Sequence, residues 1–530
     1  MDSPGAWGAR TEATKAEGPW PSAARKSRLP EEALDAMVAP PMDSMPPTKR
    51  IGLILGPVLF ALVLVLPTPG GLSAEGMRTA AVAVLMATWW MTEAIPIPAT
   101  ALLPLPLFPI LGVLDMAGTA APYANELIFL FLGGFLIAVA MERWGLHRRI
   151  ALTIITAIGT SPGRLVLGFM VATAFLSMWI SNTATTTMML PIGVAVGTLL
   201  RPRDLAEDAP YNFGVALMLG TAYAASIGGV ATLIGTPPNA VLAGAANEML
   251  GIDIGFVQWM VVGLPLTLVL LPICWLVLVR FLYPPGALVG DAGAILESER
   301  AGLGRLNRGE RVVGVIFTLT ALAWLLRSEK VMGGFTLPGI NSFAPSVRDS
   351  TIAMAAGVLL FIIPVNWRKG EFTLDWPTAR RLPWGVLILF GGGLSLARAM
   401  DQSGLAAWIG GGVSGLGFLP AVLIFGGVAA LFVFLTELTS NLATATMAMP
   451  VMAGVAAGLG IAPIALMATA AMAASMAFML PVATPPNAIV FGSGYLTIPQ
   501  MARAGIVMNV IAIVVVTVVA TLAVPAVLAM

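Results

Sequence analysis

The chain of 530 residues contains one cysteine, one histidine and little charge. With Cys274 alone, no disulfide can form within the chain and no cluster of thiolates can hold a metal ion. His147 lies in the stretch RWGLHRRI, where we expect an interfacial position and not a metal site. A net charge of +1, without a basic patch interleaved with aromatic residues, gives no sign of nucleic-acid binding.

Hydrophobic residues are abundant instead. They make up 58% of the chain against 10% charged residues, and the mean hydropathy is +0.90. A membrane-spanning helix needs about 20 apolar residues, and many windows meet this need, beginning with IGLILGPVLFALVLVL at 51–66. The composition excludes a soluble protein and predicts an all-α polytopic membrane protein.

The first 50 residues differ from the rest. Residues 1–50 carry Pro, Ala, Ser and scattered charges without periodicity, which predicts a disordered cytoplasmic tail without the apolar core of a signal peptide. Hydropathy then divides the chain into an N-terminal part at 51–280, a cytoplasmic loop at 281–311 and a C-terminal part at 312–530.

Four long apolar segments are interrupted by polar residues or proline pairs. They are 163–200 at Ser-Asn-Thr, 213–248 at GTPPN, 420–458 at Ser-Asn-Leu and 462–494 at ATPPN. Such interruptions free backbone groups, which in hydrocarbon must be satisfied by protein, ions or ligand. We expect the first and third segments to be re-entrant hairpins and the second and fourth to be broken helices. Two full crossings in place of each hairpin would fit the sequence equally well.

The interruptions form a repeat. SNTATTTMMLP at 181–191 returns as SNLATATMAMP at 440–450, an offset of 259 residues, and the flanking glycines share that offset. Thr-Pro-Pro-Asn at 236–239 returns at 484–487. The two halves of the chain are therefore predicted to be copies of one structural unit.

Charge indicates the relative orientation of the copies. Arg148, Arg149, Arg201 and Arg203 flank the first copy, whereas the matching positions of the second are uncharged. By the positive-inside rule the repeats are inverted, and most of the 28 Lys and Arg residues then lie inside. This pattern predicts about 11 transmembrane helices plus the two hairpins, with the N-terminus in the cytoplasm and the C-terminus outside.

Inverted repeats with interrupted helices are typical of secondary transporters with a site near the midplane of the membrane. The N-terminus of a half-helix favours an anion, and the carbonyls that end the preceding half-helix favour a cation. Ser, Thr and Asn supply oxygens for hard ions such as Na⁺. Neither tip contains Arg or Lys. An anion bound there would be neutralised by dipoles, hydroxyls and co-bound cations.

A single polar cluster in a membrane helix also has a structural explanation, because Ser and Thr bond to their own helix and small residues mediate helix packing. Two copies, each followed by its own Thr-Pro-Pro-Asn, favour a site instead. We expect Glu437, three residues before Ser440, and Glu93 in WWMTEAIPIP to be structural acids.

Five stretches carry a family resemblance: SNTATTTMMLPI, AYAASIGGVATLIGTPPNAVLAG, TELTSNLATATMAMPV, LPVATPPNAIVFGSG and MTEAIPIPATALLP. Together they resemble the divalent anion:sodium symporter family of di- and tricarboxylate carriers, from about residue 50 to the C-terminus. The resemblance implies a homodimer in the bacterial inner membrane, in contact with its lipid. Each subunit would have a scaffold domain and a transport domain that moves as an elevator. It implies a carrier and not an enzyme, with no cofactor and with Na⁺ as coupling ion.

The resemblance also implies which residues bind sodium and substrate. The first sodium site is expected to use Ser177, Ser181, Asn182 and the carbonyl of Gly235. The second is expected to use Thr436, Thr439, Asn441 and the carbonyl of Ala483. Substrate carboxylates are expected at Asn182, Thr183, Ser440 and Asn441, with Thr236, Thr484 and Pro485 nearby.

One departure from the family pattern concerns substrate choice, since Leu442 stands where many relatives have threonine and where the first copy has Thr183. The favoured hypothesis is Na⁺-coupled import of C4-dicarboxylates such as succinate, malate and fumarate. Ser177 and Thr436 complete the expected sodium ligands and favour symport over a dicarboxylate exchanger. A carrier of citrate or another divalent anion stays open. A channel or a membrane sensor is a remoter alternative, because the paired site does not suggest a continuous pore.

Overall fold

The computed structural model describes residues 46–202, 211–286, 292–332 and 335–528. The expected tail at 1–50 lies outside the described residues over 1–45, as does most of the polar loop between the first hairpin and the first broken helix, over 203–210. The described residues from 48 to 528 form one structural unit.

Helices dominate both halves. Those of the first half are α1 (Pro47–Val65), α2 (Ala74–Thr92), α3 (Ile97–Thr100), α4 (Pro104–Leu111), α5 (Met116–Ala120), α6 (Glu126–Trp144), α7 (Leu146–Ile158), α8 (Pro162–Ser177), α9 (Asn182–Leu199), α10 (Asn212–Gly229), α11 (Pro237–Leu250) and α12 (Phe256–Leu276). Those of the second half are α13 (Ala292–Gly302), α14 (Arg308–Leu325), α15 (Ile340–Phe343), α16 (Asp349–Ile362), α17 (Trp376–Ala379), α18 (Trp384–Gln402), α19 (Leu405–Val413), α20 (Ala421–Thr436), α21 (Asn441–Leu459), α22 (Pro463–Ala474), α23 (Pro485–Phe491) and α24 (Ile498–Leu528).

Short elements complete the fold. α12 continues as a π-helix over Val277–Leu282, and 3₁₀ turns lie at Ala121–Ala124, Trp367–Lys369 and Ser414–Leu416. Two small antiparallel hairpins pair β1 (Lys330–Met332) with β2 (Phe335–Leu337) and β3 (Pro364–Asn366) with β4 (Glu371–Phe372).

Several helical segments are long and apolar enough to cross a membrane. Within the described ranges they are Pro47–Val65, Met116–Trp144, Phe256–Leu282, Asn441–Leu459 and Ile498–Leu528. Shorter apolar helices cover Ile97–Leu111, Pro162–Ser177, Asp349–Ile362, Leu405–Leu416, Ala421–Thr436 and Pro463–Ala474. The predicted helical membrane fold is confirmed at this level, whereas the total of about 11 spans and the re-entrant path of the hairpins stay predictions.

All four interrupted segments contain a helix end followed by a new helix start. α8 ends at Ser177 before α9 starts at Asn182, and α20 ends at Thr436 before α21 starts at Asn441. α10 and α22 end before the proline pairs that start α11 and α23. Proline is suited to the first positions of a helix because its missing N–H would be unbonded there in any case.

The two halves interlock at these breaks. α9 packs against α23 of the other half, and α21 packs against α11. α10 is buried at every position from Phe213 to Gly229, and α22 at every position from Ile464 to Ala474. Helices that are apolar all round belong in the centre of a membrane protein. The core therefore contains the two helices whose ends lead into the breaks.

The segment 281–311, predicted as a loop, contains a helix. α13 buries Ala292 and Leu296 and packs against α7, and Glu299 forms an ion pair with Arg148. Hydropathy is insensitive to α13 because this 11-residue helix carries several charges.

Three residues singled out in the sequence lie outside the interrupted segments, and the structure shows what surrounds each of them. Cys274 is buried in α12. His147 Nδ1 lies 3.0 Å from the Met141 carbonyl at the start of α7, where burial lowers the pKa of the imidazole. Glu93 ends α2 with a φ of 47° and lies 3.5 Å from Lys49 Nζ.

Candidate functional site

In the first hairpin, α8 ends at Ser177, whose hydroxyl is buried. Ser177 Oγ donates to the carbonyl of Ala225 near the end of α10, at 2.8 Å. The side-chain amide of Asn182 lies beside three acceptors, and its nitrogen is the end that faces them. In that orientation Nδ2 donates to Ser177 Oγ at 2.7 Å, to the Ala225 carbonyl at 3.1 Å and to the Gly235 carbonyl at 3.2 Å. The structure thus brings together Ser177, Asn182 and Gly235, three of the residues expected at the first sodium site.

Two glycines allow this close approach. A Cβ atom on Gly229 would lie 2.4 Å from the Asn182 amide, and one on Gly235 would lie 2.4 Å from the Gly229 carbonyl oxygen. Neither neighbour is the end of a long flexible side chain, so a substitution would displace the break itself. The absence of a side chain at both positions lets backbone oxygens line the site.

The interrupted segment 230–236 is held by Asn239, the last residue of the first Thr-Pro-Pro-Asn. Its Nδ2 donates to the carbonyls of Gly229 at 3.3 Å, Val230 at 3.2 Å and Thr232 at 2.7 Å. Thr232 Oγ1 donates to the Met178 carbonyl at 2.5 Å and accepts from Gly235 N at 3.1 Å. Several backbone groups freed by the break are thus satisfied by protein groups, as hydrocarbon surroundings require.

The second hairpin repeats the first arrangement. Thr436 Oγ1 lies 2.7 Å from Asn441 Oδ1 and 2.9 Å from the Ala474 carbonyl, the last residue of α22. Thr436 is buried and Asn441 is half-buried. Thr439 makes local contacts, at 2.9 Å to the Leu435 carbonyl and 2.6 Å to Thr444 Oγ1.

The second break also repeats the first. Asn487 Nδ2 donates to the carbonyls of Ala477 at 3.2 Å and Leu480 at 3.0 Å. These lie ten and seven residues before Asn487, as Gly229 and Thr232 do before Asn239. The repeat seen in the sequence therefore extends to individual hydrogen bonds.

Glu437 is the charged residue of the two tips, in contrast to the neutral residues at 177–183 and at the rest of 436–442. It is 3% exposed, and its carboxylate accepts from the N–H groups of Phe478 at 2.7 Å, Met479 at 2.9 Å and Leu480 at 3.1 Å. Asn509 Nδ2 adds a fourth bond at 2.8 Å. Sequence reasoning missed these partners, although a carboxylate directly after Thr436 in an apolar span was a signal for them.

The remaining expected site residues divide into helix caps and side chains near the tips. Ser181 Oγ accepts from Ala184 N at 3.3 Å and caps α9, and Thr484 Oγ1 accepts from Asn487 N at 3.3 Å and caps α23. Thr236, Thr484 and Ala483 are buried, as Ser177 and Thr436 are. Ser440 and Leu442 are half-buried, while Thr183 and Pro485 are exposed.

Apart from the Glu437 carboxylate, which already accepts four hydrogen bonds, the side chains of the tips offer neutral oxygens. Within the described part of the chain, no group of three or more His, Cys, Asp or Glu residues could hold a metal ion. Hydroxyl, amide and carbonyl oxygens suit hard monovalent or divalent cations and not the softer transition metals. The chemistry of the tips therefore fits a weakly held cation such as Na⁺.

Comparisons with known proteins agree with this chemistry. Residues 48–529 match the family model described as the sodium:sulfate symporter transmembrane region. The sodium-dependent dicarboxylate transporter SdcS of Staphylococcus saprophyticus is 46% identical over 486 residues, which cover 90% of this chain and 92% of that protein. The protein of the same name from Staphylococcus aureus is also 46% identical over the same shares.

A solved structure shares the fold. The YdaH transporter of Alcanivorax borkumensis superposes with a TM-score of 0.53, over 89% of this chain and 96% of that one, at 16% sequence identity. At this identity the match speaks for the fold alone.

Proposed function

Because the chain belongs to the sodium:sulfate symporter family of membrane transporters, we propose that it is a Na⁺-coupled symporter that imports C4-dicarboxylates such as succinate, malate and fumarate. The relatives named sodium-dependent dicarboxylate transporters support both the ion and the substrate class. The observation that carries the proposal is the pair of matching clusters, in which a buried hydroxyl lies 2.7 Å from the amide of an asparagine that starts a helix.

An asparagine at this position can couple ion to substrate. Its amide has one accepting end and one donating end. In the first cluster Nδ2 bonds to three oxygens, among them the Gly235 carbonyl at 3.2 Å. A sodium ion among these oxygens would favour the reversed amide, with Oδ1 on the ion. Nδ2 would then point away from the ion, free to donate to a carboxylate. Ion binding would thereby create the donor that the substrate needs.

The two tips would share the substrate. Asn182 and Asn441 are the first residues of α9 and α21, which have 18 and 19 residues, and helix N-termini attract negative charge. We expect one carboxylate at Asn182 and Thr183 and the other at Ser440 and Asn441, with Thr236, Thr484 and Pro485 nearby. Ser177, Ser181, Asn182 and Gly235 would bind one Na⁺, and Thr436, Thr439, Asn441 and Ala483 a second.

The crosswise packing of the halves is consistent with an elevator. Because α9 packs against α23 and α21 against α11, a shift of one cluster would carry the other with it. We propose that the hairpins and broken helices move as one transport domain against a scaffold. The complete carrier would be a homodimer in the bacterial inner membrane, surrounded by lipid, with the N-terminus in the cytoplasm and the C-terminus outside.

Uptake into proteoliposomes tests the proposal. Radiolabelled succinate should enter only with an inward Na⁺ gradient, and not when K⁺ replaces Na⁺. Uptake that ignores Na⁺ but requires dicarboxylate inside the vesicles would overturn symport in favour of exchange. Competition by malate, fumarate, citrate and sulfate would then define the substrate class, and saturable uptake of unchanged succinate would separate a carrier from a channel or a sensor.

A further inference from the structure

Glu437 is a buried carboxylate whose place in the site is unlike anything in the first repeat. It directly follows Thr436 at the end of α20. Burying an ionised carboxylate is unfavourable unless several hydrogen bonds compensate for the lost water. Its four bonds come from Phe478, Met479 and Leu480 of the second break and from the side chain of Asn509.

The Glu437 carboxylate fixes the orientation of the Asn509 side-chain amide. Nδ2 donates to Glu437 at 2.8 Å, while Oδ1 is buried without a hydrogen-bond partner among the described residues. An unsatisfied buried acceptor is unfavourable. The amide keeps this orientation because its donating end faces a carboxylate, so α24 is tied to the end of α20.

Hydrogen bonds connect Glu437 to the expected sodium ligand Ala483. Glu437 accepts from Leu480 N at 3.1 Å. The carbonyl of the same residue accepts from Ala483 N at 3.2 Å and from Asn487 Nδ2 at 3.0 Å. Two residues earlier, the Phe478 carbonyl accepts from the Tyr223 hydroxyl at 2.7 Å. The carboxylate thus fixes the N–H side of a short segment whose carbonyl side is held by Tyr223 and Asn487.

The first repeat holds its break with neutral groups. At the repeat offset of 259, the position equivalent to Glu437 is Met178. Its carbonyl accepts from Thr232 Oγ1, which in turn accepts from Gly235 N. A hydroxyl there performs the task that a carboxylate performs in the second repeat. The two ion sites are therefore built with different electrostatics.

We propose that Glu437 is a positioning residue of the second half-site: it holds residues 478–480 so that the Ala483 carbonyl is presented to a sodium ion, and so sets the apparent affinity for Na⁺. The inference rests on the proposed function, because Ala483 acts as a sodium ligand only in a sodium-coupled carrier. A glutamine at this position offers one accepting oxygen and a donor that faces backbone N–H groups. The segment would then be held only when sodium itself binds.

The test compares Glu437→Gln with Glu297→Gln, which removes an exposed carboxylate from α13. Succinate uptake is measured against Na⁺ concentration, and the melting midpoint of the purified protein is measured against Na⁺ without substrate. Loss of charged hydrogen bonds should raise the half-saturating Na⁺ concentration of Glu437→Gln about tenfold. The KM for succinate at saturating Na⁺ should change by less than about twofold. Glu297→Gln should match the wild type in the half-saturating Na⁺ concentration, in the KM for succinate and in the melting midpoint.

If Glu437 only stabilised the fold, Glu437→Gln would give a different result. A lower melting midpoint at every Na⁺ concentration, with unchanged half-saturation, would overturn the proposal. Should Glu437→Gln fail to fold, Asn509→Leu keeps the carboxylate and its three backbone donors and removes one bond. It should raise half-saturation about threefold, and an unchanged value there would overturn the proposal as well. A wild type without any Na⁺ response would instead refute the proposed function.

Discussion

Replacement of Asn441 by alanine should abolish transport while leaving the protein folded. In the structure Asn441 Oδ1 lies 2.7 Å from Thr436 Oγ1, and that hydroxyl retains the Ala474 carbonyl at 2.9 Å as an acceptor. The substitution therefore leaves no buried hydroxyl without a partner. The free energy of unfolding should fall by only about 1 kcal/mol, the usual worth of one hydrogen bond.

The effect on transport should be far larger. If Asn441 contributes an oxygen to sodium and an N–H to a carboxylate, two charge-assisted interactions disappear at about 1.5–3 kcal/mol each. Their sum of about 3–6 kcal/mol corresponds to a loss of about 10²- to 10⁴-fold in uptake efficiency. Initial rates of succinate uptake against both succinate and Na⁺ give this quantity, and a melting curve gives the stability.

Thr446→Val is the matched control on the same helix. Thr446 is buried in α21 and donates only to the Leu442 carbonyl within that helix, at 2.7 Å, so its hydroxyl has no role in the proposed site. The control should transport like the wild type. Asn182→Ala should behave like Asn441→Ala. If either asparagine variant keeps its KM and Na⁺ dependence within about twofold of the wild type, the assignment of that half of the site is wrong.

Two further changes probe the packing and the selectivity of the site. Gly229→Ala should lower uptake by at least about tenfold, because its Cβ would lie 2.4 Å from the Asn182 amide. The control Gly427→Ala, where the new Cβ has open space around it, should leave uptake unchanged. Equal uptake by both variants would contradict the close approach. Leu442→Thr should shift competition between succinate and citrate, since it restores the hydroxyl that Thr183 supplies in the first repeat; an unchanged competition profile would show that position 442 does not touch substrate.

The sequence predicted the helix interruptions because proline pairs and Ser-Asn clusters act locally. Pro237 and Pro485 each start a helix, as proline is suited to do at the first helical position. The tips at 181–183 and 440–442 were identifiable for the same reason, since polar residues are rare in a membrane helix. The positions at which backbone groups lose their partners within a helix could therefore be predicted from the sequence.

The partners of those groups could not be predicted from local pattern. Glu437 bonds to residues 41–43 positions later and to Asn509, 72 positions later. Such contacts depend on how helices pack, and hydropathy carries no signal for them. The nitrogen-inward orientation of the Asn182 amide depends likewise on the carbonyls of Ala225 and Gly235, which belong to the next interrupted segment.

The two halves of the site differ at two positions near the tip of the second repeat. Leu442 replaces the hydroxyl of Thr183, and Glu437 replaces the neutral Met178. The first difference removes a group that could contact substrate, and the second places a carboxylate directly after Thr436, one of the expected ion ligands. A carboxylate next to Thr436 favours a cation there and disfavours an anion. We infer that the repeats share one geometry but divide the work, the second half weighted towards the ion and the first towards the substrate.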